Sequence, residues 1–217
     1  MAMKAPDFET LLEGFDREVL QSESKIILGL WPDYTMAGLN PGWHRFAEAN
    51  GGQASISENW GIGSNALDAI SPALRGFYQK AYGDCLNRCH PEGELFQHEY
   101  ECSSKETFRR FHMTIYSLGE RQGLLIAHSL VYESAHDPAE RAPQVADESR
   151  CRHADGIIYQ CMYCRKVRHL EENSRWDWIP DWVERSPRST SHVICGLCRK
   201  HYFEKLGIPM SGHEHDG

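Results

Sequence analysis

Leu95-Phe-Gln-His-Glu-Tyr-Glu-Cys102, Phe108-Arg-Arg-Phe-His-Met-Thr-Ile-Tyr116 and Leu124-Leu-Ile-Ala-His-Ser-Leu-Val-Tyr132 follow one another with short breaks. In the first run Phe96, His98, Tyr100 and Cys102 share one face, and Gln97, Glu99 and Glu101 the other, because successive strand side chains point to opposite sides. The second alternates likewise, Arg109, Phe111, Met113 and Ile115 against Arg110, His112, Thr114 and Tyr116. The third follows a Gly119–Gly123 turn and has few polar positions. These three runs predict an antiparallel meander.

Upstream, Lys25–Trp31 and Tyr34–Leu39 read as two more strands parted by Pro32-Asp33, which makes five. Asn40-Pro41-Gly42 reads as a helix start, with Asn40 as cap and Pro41 in the first turn, and Asn50-Gly51-Gly52 as its end. Helical pieces are expected around Asn65–Ile70 and Leu74–Asn87, separated by Pro72. Phe8, Leu11, Leu12, Phe15, Val19 and Leu20 fall on one face of an N-terminal helix, with Glu9, Glu13, Asp16, Arg17 and Glu18 on the other. That face either packs on its own domain or pairs with a second copy to make a homodimer. The fold class is α+β: an antiparallel five-stranded sheet with helices on one side.

Composition narrows the function. The chain has 217 residues, 41% hydrophobic and 11% aromatic, so it can build a core. Its net charge of −8 argues against nucleic acid as the main partner. Apolar runs such as Ile26–Trp31 are far shorter than the ~20 residues of a membrane span. The start, Met1-Ala-Met-Lys-Ala-Pro-Asp7, shows no apolar signal region, and a cytoplasmic location is expected.

The 8 cysteines then need a reason, since a reducing compartment disfavours disulfides. Cys85, Cys89 and Cys102 are scattered, whereas Cys151, Cys161, Cys164, Cys195 and Cys198 crowd the last third. Gln160-Cys161-Met-Tyr-Cys164-Arg-Lys and Ile194-Cys195-Gly-Leu-Cys198-Arg-Lys are two C-x-x-C turns with matched flanks. Each aims two sulfurs at one ion, and together they supply the four thiolates of a closed tetrahedral Zn²⁺ site. A closed site leaves no position for water, so its expected role is structural. The basic residues after each turn offset the site's negative charge. Between Cys164 and Cys195 lies Trp176-Asp-Trp178-Ile-Pro-Asp-Trp182, read as a miniature core beside the metal, or else as an exposed binding surface. His192 either replaces one thiolate or supports the ligands from behind; Cys151 and His153 form a candidate further ligand pair, and the tail Gly212–Gly217 can chelate adventitious metal.

The expected domains are a helix at 1–24, a sheet domain at 25–135, a linker at 136–150 and a four-cysteine zinc module, ribbon-like, at 151–217. The linker assignment rests on the polar, two-proline run from His136 to Ser149.

The order of elements resembles the PAS sensor domain. Trp31-Pro-Asp-Tyr34 leading into Leu39-Asn-Pro-Gly-Trp-His-Arg-Phe46 is similar to the PAS stretch where a helix starts after the second strand. Tyr100-Glu-Cys-Ser-Ser-Lys-Glu-Thr-Phe-Arg-Arg-Phe-His-Met113 resembles the late strand hairpin of a bacterial PAS subgroup. The resemblance covers about residues 8–135 and implies a domain that binds a small ligand or a partner protein, not an enzyme. Ile158–Arg168, Trp176–Pro180 and Ser191–Cys198 with Tyr202 are similar to a cysteine-rich tail found after PAS or receiver domains in bacterial signalling proteins, with Val193 where that tail usually has Gly; the match covers about residues 156–203 and implies zinc.

The pocket contents are open. Trp31, Trp43, Trp60, Phe77 and Tyr78 line a pocket or fill a core. Haem is a minor candidate through His90, His98, His112 or His128, and Cys85-Leu-Asn-Arg-Cys89-His90 is one residue longer than a haem-attachment motif. The expected function is a signal-transduction sensor or adaptor with a structural zinc module. The alternative is a zinc-dependent nucleic-acid-binding transcriptional regulator that uses Arg165, Lys166, Arg168, Arg199 and Lys200. No nucleophile–base pair is recognisable, and no catalytic residue is assigned.

Overall fold

The structure, a computed structural model, describes residues 7–49, 60–87, 96–172 and 174–203. It is mixed α+β and divides into two compact units, Met1–His98 with His112–Ser129, and Glu99–Phe111 with Leu130–Gly217. The division passes through three strands, so the far ends of the meander count with the cysteine-rich part.

The N-terminal apolar stripe does not form one helix. A 3-10 turn, Phe8–Leu12, stops at Gly14, whose φ of +104° favours glycine, and Asp16 caps a new helix α1 (Arg17–Leu20) by accepting from Glu18 N at 2.8 Å. The stripe nonetheless stays together. Phe8 is buried with Ile27, Leu118 and Leu125, and Leu11, Leu12, Phe15 and Leu20 pack around them.

Strand β1 (Lys25–Leu30) pairs antiparallel with β2 (Met36–Leu39), and the chain then enters α2 (Pro41–Ala49). Asn40 organises that junction. Its Oδ1 accepts from Ile27 N and Trp43 N, and its Nδ2 donates to the carbonyls of Ser22 and Lys25. Gly42 is needed beside it, because a Cβ there would sit 2.0 Å from the Lys25 oxygen. The expected helical piece at Asn65–Ile70 is a 3-10 turn, Ala66–Ala69, capped by Asn65. The two pieces are separate as expected, and Pro72 stands at the boundary as the first residue of α3 (Pro72–Asn87), where its missing N–H costs nothing.

The meander is β3 (Phe96–Glu101), β4 (Thr107–Leu118) and β5 (Gly123–Ala135). The five-stranded antiparallel sheet has the order β2-β1-β5-β4-β3, which returns the last strand to the centre beside the first. Register explains the two buried faces. Ile27 opposite Ala127 and Gly29 opposite Leu125 belong to the Phe8 cluster, while Leu28 opposite Ile126 and Leu30 opposite Leu124 face the other way. The expectation of cover on one side only is therefore corrected: the N-terminal segment covers a face of its own.

The second unit holds a smaller sheet of β6 (Ile158–Cys161), β7 (Val167–Arg168), β8 (Trp176–Asp177) and β9 (Thr190–Val193) in the order β8-β7-β6-β9. Two short helices, α4 (Asp181–Glu184) and α5 (Gly196–Tyr202), complete it. Its core joins Cys151, Ile158, Val167, Ile179 and Trp182. Among the described residues no helix is long and apolar enough to cross a membrane.

Candidate metal centre

β6 pairs with β9 in parallel, Gln160 beside His192 and Cys161 beside Val193. Parallel strands deliver their C-terminal ends to the same edge of a sheet, so both C-x-x-C turns emerge side by side. Parallel pairing also needs a crossover of a dozen or more residues, which accounts for the length of chain between Cys164 and Cys195.

The first turn links β6 to β7. Cys161 N donates to the Lys166 carbonyl at 2.8 Å, Arg165 N donates to the Cys161 carbonyl at 2.9 Å, and Arg165 takes a left-handed φ of 60°. The second turn opens α5, with Cys195 as N-cap. Cys198 N donates to Cys195 Sγ at 3.4 Å and Cys195 N to Cys161 Sγ at 3.5 Å. Backbone donors aimed at sulfur favour the thiolate form, which is the metal-ligating form.

Cys161, Cys164, Cys195 and Cys198 are all buried, and their Sγ atoms lie within 4.8 Å of one another. Cys164 Sγ is 3.8 Å from Cys195 Sγ. Hydrogen bonds from Cys161 and its neighbours hold the Cys195 thiol far below the ordinary range, while the bond with Cys161 pushes Cys164 far above it. Four sulfurs this close cannot all ionise against one another, and a divalent cation at their centre removes the conflict. The group can hold a metal ion.

The other proposed ligands lie elsewhere. His192 is half-buried on β9 and Cys151 is a core thiol raised to about 11 by burial; neither joins the four-sulfur group. His153 meets Tyr159 edge to face, ring centroids 5.1 Å apart. Cys89, His90 and the Gly212–Gly217 tail lie outside the described residues, as does the Asn50-Gly51-Gly52 helix end. Of the tryptophans, Trp178 and Trp182 are buried, which favours the miniature core over an exposed surface.

In the first unit His98 is buried against Phe77, centroids 5.0 Å apart, and burial lowers its pKa to about 4. His128 is held low by the same cause, also to about 4. Phe77 and Tyr78 stack edge-on within α3, and Trp31 packs on Phe8 at 5.1 Å. Trp31, Phe77 and Tyr78 stand apart from the walls of the cavity of about 840 Å³ in this unit. That cavity lies between the N-terminal segment and the sheet, walled by Phe8, Leu12, Phe15, Leu20, Ile27 and Leu125. Asp7, Glu9 and Glu13 stand along it.

Sequence reasoning missed one charged pair. Arg141, inside the expected linker, is buried with Glu101, Nη2 to Oε1 2.5 Å. The two stand 40 positions apart; Arg141 lies in no periodic pattern, and the strand alternation places Glu101 on the polar face with Gln97 and Glu99, so nothing local flags its burial. No protein-family model and no curated protein matches the chain.

Proposed function

We propose that the chain is a signal-transduction sensor or adaptor: a PAS-like domain that takes a small apolar ligand or a partner protein, joined to a zinc-stapled module. The observation that carries the zinc half is the buried four-thiol group. Four sulfur ligands and no open position suit tetrahedral Zn²⁺ in a structural role. The sensor half rests on the strand order β2-β1-β5-β4-β3 and on a ligand-sized cavity under the N-terminal segment.

β3, β4 and β5 each contribute residues to both compact units. A ligand that favours one arrangement of the sheet thereby has an unbroken path along the chain to the module, a population shift read by a partner. Two of the basic side chains that would serve nucleic-acid binding are engaged internally: Arg165 Nη2 donates to the Val183 carbonyl and Lys166 Nζ to the Glu140 carbonyl. This supports a protein or small-molecule partner over nucleic acid.

Native mass spectrometry of the full chain tests the reading. One zinc per chain together with added mass from a bound organic ligand is the expected result. Zinc without ligand, and no change in hydrogen exchange on adding apolar candidates, contradicts the sensor half.

A further inference from the structure

Arg141 makes three kinds of contact that only a planar guanidinium can combine. Nη2 donates to Glu101 Oε1 at 2.5 Å, and Nη1 donates to the Cys164 carbonyl at 3.3 Å. The guanidinium carbon lies 5.2 Å from the Phe108 ring centre and 4.8 Å from that of Trp178. A fork that bonds along its edges while its faces stack is beyond a lysine ammonium.

The pair is closed to water, the side chains being 8% and 4% exposed. Glu101 Oε1 also accepts from Ser103 Oγ at 2.6 Å. The surrounding strap is tied down on both sides. His136 Nε2 bonds the Ser104 carbonyl at 2.9 Å, and Gln144 N donates to the Trp178 carbonyl at 2.8 Å. All of these residues belong to the second unit.

A buried ion pair is a poor source of stability, since well-packed apolar residues in its place do as well or better. What it supplies is placement. Arg141, at one end of this pair, donates to the carbonyl of Cys164 in the four-sulfur group, and Glu101, at the other, is the last residue of β3. Loss of a group that holds a metal ligand from behind commonly costs ~10–100-fold in metal affinity.

We propose that Arg141 is a positioning residue of the thiolate centre, and that through Glu101 it links metal occupancy to the order of the Glu99–Phe111 hairpin tip. The inference rests on reading the four thiols as a metal site. Metal loss frees the first turn, removes the acceptor from Arg141 and loosens Glu101. By linkage, anything that orders the hairpin tip tightens the metal by the same factor.

The test uses the full chain and Zn²⁺ alone, with competition against a chromophoric chelator and hydrogen exchange of residues 99–111. Arg141→Met and Arg141→Lys are expected to weaken Zn²⁺ binding by ~10–100-fold. Glu101→Met combined with Arg141→Met removes the buried charges together, so folding stability recovers. In that double variant Zn²⁺ binding is expected to stay weak, and exchange at the hairpin tip no longer to respond to metal. Wild-type Zn²⁺ affinity in the double variant, or hairpin exchange in the wild-type chain that ignores chelation, overturns the inference. A wild-type chain that takes up no Zn²⁺ overturns instead the metal reading beneath it.

Discussion

The two units solve the same problem with different means. In the first, Leu30, Met36, Met113, Ile115, Leu124 and Ile126 are essentially inaccessible to solvent, and the sheet they build carries apolar side chains on both faces. In the second, the strands are two to four residues long and the core cluster is small, so four thiols and a buried ion pair occupy positions where the first unit has aliphatic side chains. Apolar burial scales with area, and a small module runs out of area; a metal ion held by the four thiols would take its place, while the ion pair fixes placement. The second strategy is expected to be sensitive to chelators in a way that the first is not.

The sharpest way to break this contrast is to remove a ligand. Cys161→Ser or Cys198→Ser is expected to abolish stoichiometric metal binding, a loss on the order of 10 kcal/mol of folding free energy for a structural zinc site. Limited proteolysis should then cut between residues 151 and 203 while the sheet unit survives. A folded, metal-replete variant would remove that cysteine from the ligand set.

In the first unit the counterpart is Phe8, whose ring fills the space left by Gly29; a Cβ there would lie 2.1 Å from Phe8 Cε1. Phe8→Ala is expected to cost about 3–5 kcal/mol in chemical denaturation without changing metal content. Metal loss in this variant would show that the units are not energetically separate.

His98 sharpens the comparison through pH. Burial, and secondarily the neighbouring charge of His112, holds its folded pKa at about 4, below the ordinary 6.5. The unfolded chain therefore binds a proton that the folded chain refuses, so stability is present above pH 6.5 and falls as the pH drops toward 4. The loss is about 3 kcal/mol in all. His98→Phe is expected to remove about half of this slope in the sheet unit, His128, held low by the same cause, supplying the rest; an unchanged slope would exclude His98 as its source.

Cys151→Ala gives the smallest effect. As a core thiol outside the four-sulfur group, Cys151 should cost about 1 kcal/mol when truncated and leave metal stoichiometry unchanged.

What can be read from the sequence follows from how local each signal is. The alternation in Phe108–Tyr116 and the apolar run at Leu124 are properties of neighbouring residues, and the strands stand there, one to three residues longer at their ends. The C-x-x-C turns are legible because a ligand pair is defined within four residues. The break at Gly14 is hidden because the apolar spacing around it continues unbroken, while the backbone needs one left-handed residue. Pro72 marks the boundary between two helical pieces but not the side it belongs to, because proline both ends and begins helices; Ser71 before it, whose carbonyl accepts from Leu74 N, shows that it begins one. The parallel pairing of β6 with β9 and the Arg141–Glu101 pair depend on residues far apart in the chain, and no local pattern encodes them.

A metal ion held by the four thiolates is proposed to keep the second unit folded. Native mass spectrometry of the intact chain, repeated after chelation with hydrogen exchange read along the sequence, tests it most directly. One zinc ion per chain is expected, and on its removal a rise in exchange across β6 to α5 that spares β1 and the buried half of β5. A metal-free chain with β6 to α5 still protected would contradict it.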